Sequence, residues 1–144
     1  MWLLIVAALC AGVFAGAAIY INLVEHPARL SCGTEVAVRE FAPSYHRATL
    51  MQVPLALTGG ATGLWSAWVR GDAWVAMGAI LLVAVVPFTL IAILPTNKQL
   101  TDPALDPRGR SAMDLLVRWG RLHTVRSAAS VAAFLLFLLR LATS

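Results

Sequence analysis

Charge is scarce in this sequence. Only 12% of its residues are Asp, Glu, Lys or Arg, about half the share of an ordinary soluble domain. That shortage excludes a small water-soluble globule, which must dress a large fraction of its residues for water. Cysteine is scarce too. Cys10 lies in an apolar run and Cys32 in a polar stretch, too few and too far apart for a disulfide framework or a zinc finger. No glycine-rich nucleotide loop, nucleophile elbow or zinc signature is present, nor is there a convincing internal repeat or low-complexity tract. The N-terminal apolar run has no positive residues before it, and Leu9 stands where a lipobox needs a small residue. A cleaved leader is therefore not expected.

What the chain does have is hydrocarbon. Sixty per cent of its 144 residues are apolar. Four segments are long and apolar enough to span a bilayer, at about 1–24, 50–69, 73–94 and 125–141. In lipid each must satisfy its own backbone, so each is expected to be helical. The predicted fold is all-α: a single membrane domain, 1–144, built as a four-helix transmembrane bundle. Arg70-Gly71-Asp72 predicts a tight hairpin between the second and third segments. A longer polar loop is expected over 25–49, and a proline-rich one begins at Pro95. Ser111 is a candidate cap for a helix that runs on into the fourth segment, giving a long rod that extends into the cytoplasm.

Nine of the eleven basic residues fall on the first and third connections and the polar start of the fourth helix, against Arg70 and Arg140 opposite. That asymmetry puts the long loops in the cytoplasm and both termini outside, in what is expected to be a bacterial plasma membrane. The net charge of +4 belongs to this topology signal. Basic residues interleaved with exposed aromatics are absent, so nucleic acid is not an expected partner.

The chemistry is concentrated at one end. Asn22, Glu25, His26 and Arg29 follow the i, i+3, i+4, i+7 spacing of one helical stripe, although Pro27 weakens the inference for Arg29. Trp119, His123 and Arg126 share a face of the fourth helix, and the third segment delivers Asn97 to the same level. Tyr20, Tyr45 and His46 lie near enough in sequence to join them. Ionisable groups at bilayer depth are costly and face inward, so a polar pocket under an apolar roof is expected. The plain alternatives are an end-of-helix ion pair for Glu25, interfacial placement for His26, His46 and Trp119, and register-fixing contacts for the rest. Glu25, His26 and His123 also make up a carboxylate–imidazole metal set. Adjacent Glu25 and His26 diverge by about 100° on a helix, so no metal is expected there.

The stretches Gly16-Ala-Ala-Ile-Tyr-Ile-Asn22-Leu-Val-Glu-His26-Pro-Ala-Arg29, Leu94-Pro-Thr-Asn97 and Trp119-Gly-Arg-Leu-His123-Thr-Val-Arg126 resemble the anthrone oxygenase-like family of four-helix membrane proteins over essentially the whole chain. The resemblance implies an oxidoreductase that joins molecular oxygen to a lipophilic aromatic, an anthrone or a hydroquinone, with no cofactor. It implies catalytic roles for His123 as base, for Arg126 or Asn97 as oxyanion stabiliser and for Glu25 as a group that orients an imidazole. Trp119, Asn22, His26 and Tyr20 would contact the substrate. The expected partners are a lipophilic small molecule and the bilayer; the oligomeric state is left open. Two other readings stand beside it: a non-catalytic carrier of a lipophilic compound, and a structural subunit of a membrane complex.

Overall fold

The computed structural model describes residues 1–143. Those residues form four long rods: α1 (Trp2–Ser31), α2 (Thr34–Arg70), α3 (Ala73–Leu100) and α4 (Arg110–Ala142). They run up, down, up and down, each packed on its sequence neighbours, with α4 closing back onto α1. The diagonal pairs α1–α3 and α2–α4 face each other across the interior. Three rods, α1, α3 and α4, are long and apolar enough to cross a membrane, which makes this a membrane protein. The α2 helix falls outside that group; its lower half carries charge and its upper half is rich in Gly, Thr and Trp.

One expectation needs correcting. The stretch 25–49 is not a loop. Its residues are nearly all helical: α1 continues to Ser31, α2 starts at Thr34, and Cys32-Gly33 alone turn the chain. Gly33 makes that turn at φ +92°, which a side chain would oppose. Polar residues therefore do not mark a loop here; they mark helix that has left the hydrocarbon. Similarly α3 continues past Leu94 to Leu100, and only residues 101–109 connect it to α4. The long α4 rod is as expected, although Gly109 rather than Ser111 occupies its N-cap.

The hairpin between α2 and α3 is also as expected. Gly71 closes α2 in the left-handed region at φ +62°, and Asp72 caps α3 by accepting from the amides of Trp74 and Val75 at 3.0 and 3.2 Å. Arg140 of α4 reaches the same carboxylate at 2.7 Å. Burial alone would raise the Asp72 pKa, but the Arg140 hydrogen bond and the two amides outweigh it and hold the carboxyl below its ordinary value. The cap therefore contributes stability above the usual carboxylate range, and that contribution is lost as pH falls through the depressed value. Replacing Asp72 with Ala is expected to cost about 1–2 kcal/mol, read as a lower midpoint in thermal unfolding in detergent at pH 7. The deficit should shrink at pH 3; an equal deficit at both pH values would reject the carboxylate's role.

The interior is layered. At the end that holds the termini, Leu4, Phe14, Leu82, Val85 and Phe137 pack with alanines into a dry cluster. Phe137 fits there because a Cβ on Gly63 would lie 2.9 Å from its ring. At the opposite end a second apolar cluster gathers Phe41, Ile93, Leu100, Leu116 and Trp119. Between them lie the buried polar residues Gln52, His123, Ser127 and Ser130. Exposed Trp2, Trp65, Trp68 and Trp74 ring the termini end, as an aromatic belt does at a membrane boundary. At about 1.5 Å per residue, Gln52 lies roughly 24 Å from Trp68 and Asn22 roughly 30 Å from Trp2. The hydrocarbon core is about 30 Å thick, so the polar layer sits just inside the far boundary.

Two helices widen locally at the level of that layer or near it. Residues Ile21–Glu25 of α1 and Thr89–Ile93 of α3 each form a π-turn, and a proline follows two residues later in both, Pro27 and Pro95. A proline lacks the N–H and crowds the carbonyl four residues back. Here that carbonyl belongs to Leu23 and Ile91, inside the widened turns, which make room for the ring.

Candidate functional site

The α1 π-turn explains where the polar stripe goes. A regular helix would keep Asn22, Glu25, His26 and Arg29 on one face. The extra residue in the turn splays them between two neighbours. Asn22 and His26 meet α4, whereas Glu25 and Arg29 meet α2.

On the α4 side, Asn22 Oδ1 lies 2.7 Å from His123 Nδ1 and also accepts from the Ser127 hydroxyl. Its amide nitrogen donates to Thr124 Oγ1 at 3.0 Å and to the Gly120 carbonyl at 3.4 Å. These donations fix the amide orientation, so the atom facing the imidazole is an acceptor. His123 Nδ1 must therefore carry the proton, and Nε2 carries the lone pair. Among the described residues nothing hydrogen-bonds Nε2. The ring is 1% exposed and stacks on Trp119 with centroids 4.7 Å apart.

Trp119 is the hub of the lower cluster. His26 packs against it at 5.1 Å and Phe41 meets it edge-on at 5.3 Å. Gly120 is what admits His26: a Cβ there would lie 2.8 Å from its Nε2. The indole Nε1 is buried with no hydrogen-bond partner. On the α2 side, Arg29 is buried, pairs with Glu25 and, at 2.8 Å, with Glu40, and donates to Ser44, which in turn donates to Glu25. Its guanidinium carbon lies 5.7 Å from the Trp119 ring, a cation–π arrangement. Below this layer, outside the bilayer, Arg108 hydrogen-bonds Glu35 and holds that carboxyl below its ordinary pKa.

Two neighbouring chambers open from this framework. The inner one, about 30 Å³, lies among Arg29, Tyr45, Gln52, Trp119, His123 and Arg126. The outer one, about 110 Å³, lies between α2 and α3 under an apolar wall that includes Phe14, Ala56, Val85 and Leu90. Tyr45, Thr49, Gln52 and Arg126 line both. Arg126 donates to Gln52 Oε1 at their junction and stands 4.9 Å from the Phe14 ring. A third, open groove of about 520 Å³ runs between α1 and α2, bordered by Tyr20, Glu25, Glu40 and Arg47.

The structure thus brings His123, Arg126 and Trp119 around one chamber, with Asn22 behind the imidazole. Glu25 serves the Arg29 network and contacts Ser44; the position on His123 Nδ1 belongs to Asn22. His26 packs behind Trp119. Tyr20 is largely exposed in the outer groove. Asn97 is 1% exposed with neither amide atom partnered, but it lines neither of the chambers that Arg126 borders. No three His, Cys, Asp or Glu side chains converge among the described residues, so Glu25, His26 and His123 do not assemble the metal set weighed from sequence. Ser44, Thr49, Gln52 and Ser127 are additions that sequence reasoning passed over, and Arg29, placed on the α1 stripe from sequence but discounted because of Pro27, belongs with them. Gln52 had a signal, as the strongly polar residue inside an otherwise apolar segment. Ser127 had one too, four residues after His123 on the same face.

A family profile for anthrone oxygenase matches residues 41–136. Anthrone oxygenase ptaC of Pestalotiopsis fici is 30% identical over 121 residues, covering 73% of this chain and 86% of that protein. An anthrone oxygenase of Claviceps purpurea is 29% identical over 143 residues, covering 88% and 82%. Both sources are fungal, so neither speaks for the bacterial membrane expected above. No solved structure matches.

Proposed function

The chain belongs to the anthrone oxygenase family, and from that premise we propose that it is a membrane oxygenase of a lipophilic hydroxylated aromatic, anthrone- or hydroquinone-like. Its basic end faces the cytoplasm and both termini face outward, following the charge asymmetry. The observation that carries the reading is the unshared Nε2 of His123. It is a fixed tautomer, backed by Asn22, beside a cationic group in a small chamber at the membrane boundary.

The chemistry follows from those parts. Nε2 takes the acidic proton of the substrate, a ring-flanked C–H in an anthrone or the O–H of a hydroquinone. Arg126 holds the negative charge that develops on the substrate oxygen. The resulting electron-rich anion passes one electron to O2, giving a ring radical and superoxide. These join at the ring carbon as a hydroperoxide anion, which takes up a proton. For an anthrone, loss of the second hydrogen from that carbon breaks the O–O bond. One oxygen atom stays as the new carbonyl and the other leaves in water. Asn22 and Ser127 are positioning residues, since they act through His123.

Purified protein in nanodiscs, given an anthrone under 18O2, is expected to consume one O2 per anthraquinone formed and to place one labelled oxygen in it. Product carrying no label, or oxygen uptake no faster than in protein-free nanodiscs, would count against the reading.

A further inference from the structure

Gln52 takes no part in the proton transfer at His123. It is 1% exposed, its Oε1 is taken by Arg126, and its Nε2 has no partner. Arg126 Nε is likewise buried without a hydrogen-bond partner. Two orphaned donors on two residues that line both chambers leave a place for an oxygen acceptor, because buried donors are normally satisfied. Among the described residues no carboxylate supplies one there.

Size then limits what carries that oxygen. The outer chamber measures about 110 Å³ and the inner one about 30 Å³. A cavity of about 150 Å³ is known to accommodate benzene. The space beside Gln52 is therefore one ring wide, so a larger aromatic seats one ring there and extends outward with the rest. Its far wall is apolar, and on α3 it ends at Leu90, which is 57% exposed on the face a bilayer would cover. Whatever part of the molecule exceeds one ring leaves between α2 and α3 into hydrocarbon.

We propose that Gln52 and Arg126 bind the ring oxygen of a lipid-dissolved phenol or hydroquinone, one ring of which occupies the α2–α3 chamber while its hydrocarbon remainder passes out between those helices into the bilayer. The proposal rests on the oxygenase reading for its substrate chemistry, but its geometry is tested separately. The open α1–α2 groove, with Glu25, Glu40 and Arg47 on its border, is then left for water and protons.

The test uses the full chain in lipid vesicles and a hydroquinone bearing an alkyl tail with a photoreactive diazirine, irradiated without oxygen so that turnover plays no part. Crosslinks are expected on α2 at Val53 and Ala56 and on α3 at Val85 to Leu94, and excess decyl hydroquinone should suppress them. Gln52→Leu is expected to reduce labelling at least ten-fold, and V53W, at a half-exposed position on the chamber wall, should do so while leaving thermal stability unchanged. Crosslinks confined to Tyr20, Arg47 and Met51 in the other groove, labelling untouched by either substitution, or no competable labelling at all would overturn it. Labelling between α2 and α3 without any oxygen uptake in air would support this site and reject the oxygenase reading. Oxygen uptake with labelling elsewhere would do the reverse.

Discussion

Replacing His123 with alanine is expected to slow oxygen uptake with an anthrone by about 10²- to 10⁴-fold, the usual contribution of a positioned general base. The size follows from the geometry. Among the described residues, His123 is the one imidazole that lines the chamber beside Arg126, and Asn22 fixes which of its nitrogens is bare. The truncation leaves a space the size of an imidazole in a layer with little freedom to collapse. Added imidazole is therefore expected to restore part of the rate in the variant and to do nothing for the parent. A variant that folds, keeps its thermal midpoint and oxidises anthrone at the parent rate would remove His123 from the mechanism. Loss of rate with no rescue, accompanied by loss of heat stability, would assign it a packing role instead.

The largest effect on stability is expected at Arg29. Arg29→Met removes a guanidinium that is 4% exposed and takes from the carboxylates of Glu25 and Glu40 the cation they share. Breaking a buried pair from one side costs about 3–5 kcal/mol. The lower end applies here because Glu40 is 42% exposed and water screens part of the repulsion. Reversible unfolding in mixed micelles should report a loss near 3 kcal/mol, and adding Glu25→Gln and Glu40→Gln to the variant should recover some of it. A loss below about 1 kcal/mol, or a triple variant no better than the single, would show that the network is not what holds α1 to α2.

These two residues illustrate what composition and spacing reveal in a chain of this kind. The α4 face is legible because α4 is a regular helix: Trp119, His123 and Arg126 stand where the 3.6-residue repeat puts them. The α1 stripe is not, because a π-turn shifts the phase in its middle. Nothing in the spacing of Asn22, Glu25, His26 and Arg29 announces that shift, although Pro27 hinted that the helix was irregular. Arg29 was discounted for the same reason, and it is the best-buried ion-pairing residue in the region. The apolar spans were legible as hydrocarbon, whereas the ends of the helices were not. Hydropathy marks where lipid stops, but α1, α2 and α3 continue past that boundary on intrahelical hydrogen bonds and salt bridges. Gln52 became meaningful only when the fold set it opposite Arg126 on the far diagonal.

The paired π-turns have a consequence for how a guest gets in. They occur in α1 and α3, which occupy opposite corners of the bundle. A wide turn is a natural joint in its rod, because it interrupts the regular α-helical ladder and its proline has removed one donor nearby. Bending is thus easiest in the two posts that carry few of the chamber's polar groups. Of the two that carry Gln52, His123 and Arg126, α4 is an unbroken α-helix, whereas α2 holds Pro54 two residues after Gln52. The scaffold resembles a doorway in which the jambs flex while the one unbroken post, which holds His123 and Arg126, stays still, so admission and alignment are assigned to different struts.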